Sequence, residues 1–223
     1  MIEIDSLSHR TLFIDHLSVH PGLTFLVGGN GGGKTTLLRL LSGIDEPESG
    51  TISIDGQSPR KVDVGWVNEY PDRSLLFSRV YDEIASTIQF RNTPCDETGK
   101  MVKDICGRMG ITNLLDRPVH ELSGGERALA AIAAALVNEP VLLVLDEYDS
   151  HLDPGRCRQI DDIIGTIQSR YVIRCTQQME TAAKGDQVVA IHDGRIVSAG
   201  KPAEVFFSLM NTPFYPRSWR KTG

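Results

Sequence analysis

One short stretch of the chain concentrates residue types that could hold a phosphate. Its spacing, Gly28 followed by four residues and then Gly33, Lys34 and Thr35, is the P-loop pattern. Glycines allow backbone N–H groups to turn inward around a phosphate without side-chain clashes. Lys34 supplies a positive charge for the β- and γ-phosphates of a nucleotide, and the Thr35 hydroxyl can ligate Mg²⁺. The predicted nucleotide-binding residues of this loop are Gly28, Asn30, Gly31, Gly32, Gly33, Lys34, Thr35 and Thr36.

The segments on either side of this loop are the ones that the pattern requires. An apolar run from Leu23 to Val27 predicts a strand that leads into the glycines. A helix that opens at Lys34 adds unpaired N–H groups and the positive end of its dipole to the phosphate site. Four leucines between positions 37 and 41 give that helix an apolar face. The loop therefore has a strand before it and a helix after it.

Two acidic residues follow a second apolar run. Val141–Leu145 is unbroken and apolar, as expected for a strand buried on both faces, and Asp146 and Glu147 come directly after it. The C-terminal end of such a strand is where an α/β sheet binds its ligand, so Asp146 can hold Mg²⁺ through water. Glu147, one residue on, would point to the other side and could polarise an attacking water molecule.

A second predicted helix start could also bind a phosphate. The residues Ser123-Gly124-Gly125-Glu126 precede an alanine-rich segment that predicts a helix to about Val137. Ser123, together with the N–H groups of Gly124 and Gly125, could form a second phosphate cradle there. Taken alone, the same residues could equally be only a helix cap.

The size and composition of the chain limit the remaining choices. A chain of 223 residues is long enough for one large or two small domains with a real core. The formal net charge of −6 argues against general nucleic-acid binding, which usually leaves a basic footprint, so no nucleic-acid partner is expected. Four scattered cysteines favour reduced thiols in a cytosolic protein over zinc or disulfides. No apolar run approaches the ~20 residues that a bilayer crossing needs.

The remaining patterns predict how a single domain, residues 1–223, is organised. Alternating residues predict an antiparallel β layer at about 1–20 and 50–68, with Asp55-Gly56 as a hairpin signal. The segment at about 69–121 is predicted to be a helical insertion, and the remainder forms the catalytic core. Further helices are predicted at about Val80–Phe90, Glu97–Met109 and Asp153–Gln168. Later strands are predicted at Tyr171–Cys175, Gln187–Ile191 and Arg195–Ser198, before a helix that Pro202 opens.

Four motifs follow one another in an order that points to a known family. After the P-loop come Leu122-Ser123-Gly124-Gly125-Glu126, Leu145-Asp146-Glu147 and Ser150-His151-Leu152-Asp153. Together they resemble the ABC ATPase family, and the resemblance covers essentially the whole chain. It implies an α/β fold of the ABC-type P-loop NTPases, with a mostly parallel sheet core, an antiparallel β layer and a helical subdomain. ATP and Mg²⁺ are the cofactors that it implies.

The same resemblance implies that the protein works as a dimer. In the family, the cradle at the position of Ser123 faces the nucleotide held by a partner protomer. Two ATP molecules then lie between two head-to-tail chains. The partner would be an identical or related ABC ATPase, and Asp153 with its loop would communicate across the interface.

A narrower resemblance concerns the predicted helical insertion. The segments Gly65–Asp72, Leu76-Phe77 and Val80–Ala85 look like those of the ATPases of energy-coupling-factor importers for vitamins and metal ions. In those proteins, a groove beside this loop receives a helix from an integral membrane subunit. Leu75, Leu76 and Phe77 could line such a groove, or they could be ordinary core residues of the insertion.

These resemblances together imply a function and leave two alternatives. The implied protein is the ATP-binding and hydrolysing subunit that powers a membrane importer through closure of its dimer. Its place would be cytoplasmic, peripheral at the inner face of the cell membrane. One alternative is a soluble ABC ATPase without a transport role. The other is a regulatory nucleotide-binding subunit with a weak catalytic site.

The chain departs from the family pattern near the predicted nucleotide. Glu69 stands where a glutamine is usual, and Gln177 stands where a histidine is usual. The aromatic residue that stacks on adenine is replaced near Thr11, which leaves His9 or Phe13 as substitutes. We expect nucleotide binding to survive these changes and hydrolysis to be slowed. The predicted catalytic residues are Glu147, Gln177 and Glu69, and the predicted metal ligands are Thr35, Asp146 and Glu69.

Overall fold

The computed structural model describes residues 1–89, 93–150, 152–166 and 169–219, and these form two compact units. The first unit comprises Met1–Asp63, Val144–Glu147 and the chain from Arg170 onward, and the second comprises Val64–Leu143 and Tyr148–Ser169. Strands β1 to β9 span Ile2–His9, Leu12–Val19, Gly22–Val27, Ser49–Ile54, Val64–Val67, Leu142–Asp146, Tyr171–Cys175, Gln187–His192 and Arg195–Gly200. Helices α1 to α7 span Lys34–Leu41, Val80–Gln89, Cys95–Met109, Gly124–Leu136, Pro154–Ile164, Met179–Ala182 and Pro202–Ser208. Four residues of the predicted helices and motifs lie outside the described ranges: Phe90, His151, Ile167 and Gln168.

A three-stranded antiparallel sheet in the first unit has the order β2-β1-β4. Ile4 of β1 lies opposite Leu17 of β2 on one side and Ile52 of β4 on the other. The pairing of β1 with β4 shifts between Asp5 and Ser8, so a bulge interrupts the alternation of buried residues along β1. Apolar side chains of all three strands are nevertheless buried, among them Ile4, Leu17 and Ile52.

The larger sheet carries the P-loop. Within the first unit its strand order is β6-β7-β3-β8-β9, with β3 parallel to both β7 and β8 and with β9 antiparallel to β8. All residues of β6 and β7 are buried, which explains the apolar run at residues 142–145 of β6. β7 is apolar at residues 171–173 and then carries the buried Arg174, whose guanidinium lies 5.6 Å from the ring centre of Phe25. Because parallel strands end at the same edge of a sheet, the residues after β3 and β7 meet there. The predicted α/β fold, with a separate antiparallel layer beside the sheet that carries the P-loop, is confirmed.

Helices α6 and α7 build one core with β3 and β8 in the first unit. Phe25 and Phe206 are almost completely buried in it. The other buried members are Val27, Met179, Ala182, Val188, Ala190, Val205 and Leu209, with Phe214 and Tyr215 packed against them. The short helix α6 has no counterpart among the predicted elements.

The second unit is mainly helical. Helix α2 packs on α3 and α4, and α3 also contacts α5. Helix α5 begins, as predicted, at the N-cap Asp153, whose carboxylate accepts the backbone N–H groups of Gly155 and Arg156 at 3.0 Å each. It ends at Ile164, earlier than predicted.

The prediction for the antiparallel layer is wrong at its last strand. β5 is not a strand of the three-stranded sheet, although Asp55 and Gly56 do form a turn after β4. Gly65 in β5 gives the physical reason, because a Cβ at this position would lie 2.4 Å from the backbone carbonyl oxygen of Ala135 in α4. β5 therefore packs with α4 in the second unit, and this unit extends beyond the predicted insertion at 69–121.

The apolar loop before α2 is exposed. Leu76 is 87% exposed and Phe77 is 43% exposed, while Leu75 is half-buried. The backbone N–H groups of Leu76 and Phe77 both donate to Oε2 of Glu83, at 2.7 Å each. Glu83 therefore fixes the backbone of this loop while both side chains remain accessible to solvent. The interpretation as core residues is wrong for Leu76 and Phe77.

All four cysteines are free thiols. Cys95 is exposed, Cys157 is half-buried, and Cys106 and Cys175 are buried. Burial raises the pKa of the Cys106 thiol to about 11. None of the helices in the described ranges combines the length with the apolar character that a membrane crossing requires.

Candidate nucleotide-binding site

The P-loop has a shape that only glycine permits at two positions. A Cβ at Gly28 would lie 2.1 Å from the backbone oxygen of Ile191. Gly33, the N-cap of α1, has a φ of 101° in the left-handed region and provides no side-chain cap. The first N–H groups of α1 are therefore not capped by a side chain, which is the arrangement that a helix offers to a phosphate.

Lys34 lies inside this loop. Only 5% of the residue is exposed, and its Nζ donates to the carbonyl oxygens of Gly28 at 3.1 Å and Gly29 at 3.2 Å. The same Nζ lies 3.3 Å from Oε1 of Glu147. A buried ammonium group and a carboxylate are thus paired at the edge of the sheet where the P-loop begins.

Glu147 is held from two sides. Its Oε1 faces Lys34, and its Oε2 accepts a hydrogen bond of 2.8 Å from Nε2 of Gln177. Gln177 Nε2 also donates to Oδ1 of Asn30 at 3.0 Å. The backbone of Glu147 has a φ of 47°, which is uncommon for a residue other than glycine. The structure therefore brings four predicted site residues together: Asn30, Lys34, Glu147 and Gln177.

Asp146 and Thr35 form a second pair of predicted residues. Asp146 ends β6, is 7% exposed, and accepts hydrogen bonds from the Thr35 hydroxyl and the Cys175 thiol. Burial raises the pKa of Asp146, and these two hydrogen bonds partly oppose that rise. A carboxylate beside a hydroxyl is a set of hard oxygen donors that fits Mg²⁺. Among the described residues, no group of three or more His, Cys, Asp and Glu side chains is arranged to hold a metal ion.

The predicted second cradle starts α4 in the second unit. Ser123 Oγ accepts the backbone N–H of Glu126 at 3.3 Å, and Glu126 Oε2 accepts the backbone N–H of Ser123 at 2.8 Å. This is a capping box, and the hydrogen bond from the Ser123 backbone lowers the pKa of Glu126. A Cβ at Gly124 would meet open space, whereas one at Gly125 would lie 3.3 Å from Nε of Arg156. The cap is confirmed, and phosphate binding there stays a prediction.

The structure also places the two candidates for stacking on adenine, His9 and Phe13. His9 is 8% exposed, so its ring is not open to a nucleotide base, whereas Phe13 is 42% exposed, with the Arg195 guanidinium 5.6 Å from its ring centre. Cys175, the hydrogen-bond partner of Asp146, was not expected from the sequence, because it lies among the apolar residues of β7. Glu69 follows β5 in the second unit, and its predicted catalytic and metal-binding roles stay predictions.

The chain is similar to proteins that are named as parts of transporters. Residues 15–150 match the family model described as ABC transporter. The energy-coupling factor transporter ATP-binding protein EcfA1 of Mycoplasma pneumoniae is 34% identical over 192 residues, which are 82% of this chain and 70% of the relative. The protein of the same name from Lacticaseibacillus paracasei is 31% identical, over 81% of this chain and 69% of the relative. The solved structure of cbiO1 from Clostridium perfringens, described as part of the ABC transporter complex cbiONQ, is 30% identical, with a TM-score of 0.83 over 92% of this chain and 90% of that one.

Replacing Lys34 by alanine is expected to weaken ATP binding by about tenfold or more. The substitution removes the buried cation of the loop, and a hydrogen bond to a charged group contributes roughly 1.5–3 kcal/mol. Calorimetric titration with Mg-ATP measures the affinity, and circular dichroism checks that the variant is folded. Lys103→Ala, at an exposed lysine on α3, is the matched control and should bind like the wild type. An unchanged affinity in Lys34→Ala would contradict the assigned role.

Proposed function

Because this chain belongs to the ABC transporter family, we propose that it is the ATP-hydrolysing subunit of a membrane importer of the energy-coupling-factor type. The observation that carries the proposal is the arrangement around the buried Lys34, where Glu147 lies 3.3 Å away and Gln177 holds Glu147 in place. A cation for the phosphates, a carboxylate for the metal ion and a second carboxylate for water are the groups that hydrolysis of a nucleotide needs.

The predicted site residues of the first unit each have a role in this proposal. The backbone N–H groups of the loop and Lys34 bind the β- and γ-phosphates of ATP. Thr35 and Asp146 would hold Mg²⁺, which neutralises charge on the phosphate oxygens when it is bound. Glu147 accepts a proton from the attacking water, and Gln177 orients Glu147. Phe13, exposed at the start of β2, is the better placed of the two substitutes for stacking on adenine.

The same contacts support slow turnover. A histidine at position 177 can carry a positive charge near neutrality, whereas Gln177 donates only from a neutral amide. A hydrogen bond from a neutral donor is about half as strong as a charge-assisted one. Glu69 in place of glutamine adds a carboxylate that could either bind Mg²⁺ more tightly or repel the γ-phosphate, and these two effects oppose each other. Hydrolysis is therefore slower in this chain than in relatives that keep both usual side chains.

Restoring histidine at position 177 tests this idea. Three variants are compared: Gln177→His, Glu69→Gln and the two changes combined. The ATPase rate is expected to rise by up to roughly tenfold, since 1.4 kcal/mol corresponds to a factor of ten. The rate is measured at saturating Mg-ATP, so that changes in binding do not enter. Gln178→His, one residue along, is the matched control. If neither single change nor the pair raises the rate, the side chains are compensated locally and turnover is not limited by them.

The proposal includes a dimer of ABC ATPases. Helix α4 begins at Ser123, Gly124 and Gly125 with a capping box at an exposed position, so its N-terminus is available to a nucleotide on another protomer. A site completed in this way works only when two chains meet. The partner is a second copy of this chain or a related ATPase.

Replacing Glu147 by glutamine is expected to trap that dimer. Glutamine cannot accept the proton from water, so ATP binds and the closed form accumulates. Light scattering with Mg-ATP should then give twice the 24.5 kDa of one chain, and less without nucleotide. Glu147→Gln combined with Lys34→Ala is the control: at the lowest ATP concentration that saturates Glu147→Gln, the double variant binds less ATP and should form less dimer. A monomer of Glu147→Gln with saturating ATP argues against the sandwich.

Leu76 and Phe77 support the second partner, an integral membrane subunit. Two large apolar side chains are exposed on a loop whose backbone Glu83 fixes at two N–H groups. A rigid loop with exposed apolar side chains suits the binding of a helix from another protein. Through this contact the protein would lie on the cytoplasmic face of the cell membrane.

A charge at position 76 is expected to break this contact. Leu76→Glu should abolish co-purification with the multi-span membrane protein that the proposal expects a neighbouring gene to encode, while ATP affinity stays unchanged. Phe207→Glu, at another exposed apolar residue, on α7 and 71% exposed, is the control and should still co-purify. If the wild type does not co-purify with that membrane protein, a soluble ABC ATPase is the better description. If Leu76→Glu co-purifies as well as the wild type, the docking loop is wrongly assigned.

A further inference from the structure

The chain after α7 is fixed to the first unit by several contacts. We refer to residues Leu209–Trp219 as the C-terminal strap. Leu209 is buried in the core, and the Thr212 hydroxyl donates to its carbonyl oxygen at 2.7 Å while accepting the backbone N–H of Phe214 at 3.2 Å. At the other end, the Trp219 ring packs edge-on against Phe206 at 5.6 Å and Tyr215 at 6.2 Å. The strap is therefore attached at both of its ends.

The strap lies next to the P-loop at Phe214. The Phe214 ring packs against the core cluster that contains Val27, the last residue of β3 before the P-loop. A Cβ built at Gly29 would lie 3.8 Å from Cζ of Phe214, so the ring is close to this glycine. Beside Phe214 lies a cavity of about 450 Å³ that is lined mainly by apolar side chains and reaches Gly28. Phe214 lines this cavity together with Val27 and Gly28, so its ring is one of the side chains that pack on this side of the P-loop.

The strap contacts α6 through Glu180. Oε1 of Glu180 accepts the backbone N–H of Arg217 at 2.9 Å. The pKa of Glu180 is lowered because its carboxylate accepts its own backbone N–H and those of Arg217 and Ser218. Glu180 lies in the first turn of α6, which begins two residues after Gln177. The strap thus holds the segment that carries Gln177.

We propose that the C-terminal strap positions the hydrogen-bonded pair Gln177 and Asn30, with Glu180 acting on the Gln177 side and Phe214 acting on the P-loop side. Gln177 Nε2 bonds to Asn30 Oδ1 at 3.0 Å, so the two loops meet at this hydrogen bond. The strap contacts the segments that carry both partners. Glu180 and Phe214 are positioning residues, because they act through other groups. The inference rests on the proposed ATPase function for its kinetic readout.

Glu180→Ala should lower kcat and leave the affinity for ATP unchanged. The expected decrease is about threefold to tenfold, less than the roughly 100-fold that a displacement of 1 Å can cause. Glu180→Gln keeps an acceptor oxygen and should restore part of the rate. Glu204→Ala, an exposed glutamate in the first turn of α7, is the matched control and should turn over like the wild type. Phe214→Ala should instead raise the Kd for ATP by about threefold to tenfold, and Phe214→Leu should raise it less.

A double-mutant cycle decides whether Glu180 acts through Gln177. If it does, adding Glu180→Ala to Gln177→Ala should cause no further loss of kcat. An equal loss of kcat in both backgrounds would overturn the proposal.

Hydrogen exchange gives a readout that does not depend on hydrolysis. Amides of residues 176–182 should exchange faster in Glu180→Ala than in the wild type, and those of residues 28–33 should exchange faster in Phe214→Ala. Unchanged exchange in both segments would overturn the proposal. A wild type that hydrolyses no ATP would contradict the proposed function, and faster exchange in these segments would then still support the strap.

Discussion

The backbone of β8 approaches the P-loop so closely that it decides which residue can stand at position 28. The carbonyl oxygen of Ile191 occupies the place where a side chain of Gly28 would begin. The turn that follows β8 adds a hydrogen bond of 3.1 Å from the Gly194 N–H to the Gly32 carbonyl oxygen. These contacts with β8 and its following turn set the shape of the P-loop. The start of α1, the burial of Lys34 and its pairing with Glu147 all depend on that shape.

The sequence predicts best those features that depend on local patterns. The spacing of Gly28, Gly33 and Lys34 predicts a strand, a turn and a helix because each residue type has a local backbone reason to be there. The same holds for the N-cap Asp153 and for the capping box at Ser123. β6 is predicted because full burial leaves a continuous apolar run before Asp146. These features also locate much of the candidate site, since its residues follow those strands.

The features that the sequence does not predict join segments far apart along the chain. The placement of β5 depends on a close approach between Gly65 and α4, and no periodic pattern encodes such a contact. The same is true of the bond between Gln177 and Asn30 and of the strap contacts at Glu180. A family pattern shows at which positions this chain carries an unusual residue. Only the surrounding side chains show what the substitute touches, as for Gln177.

The distribution of the cysteines makes the unaltered chain suitable for spectroscopy. Cys95 is the exposed thiol and lies at the start of α3, while Cys106 and Cys175 are buried. The half-buried Cys157 has its Sγ 3.8 Å from the carbonyl oxygens of Asp149 and Leu152. A maleimide carrying a spin label or a fluorophore would therefore attach first to Cys95. Each protomer would then carry one reporter on its helical unit, and the distance between two reporters would follow the approach of two chains without any engineered residue.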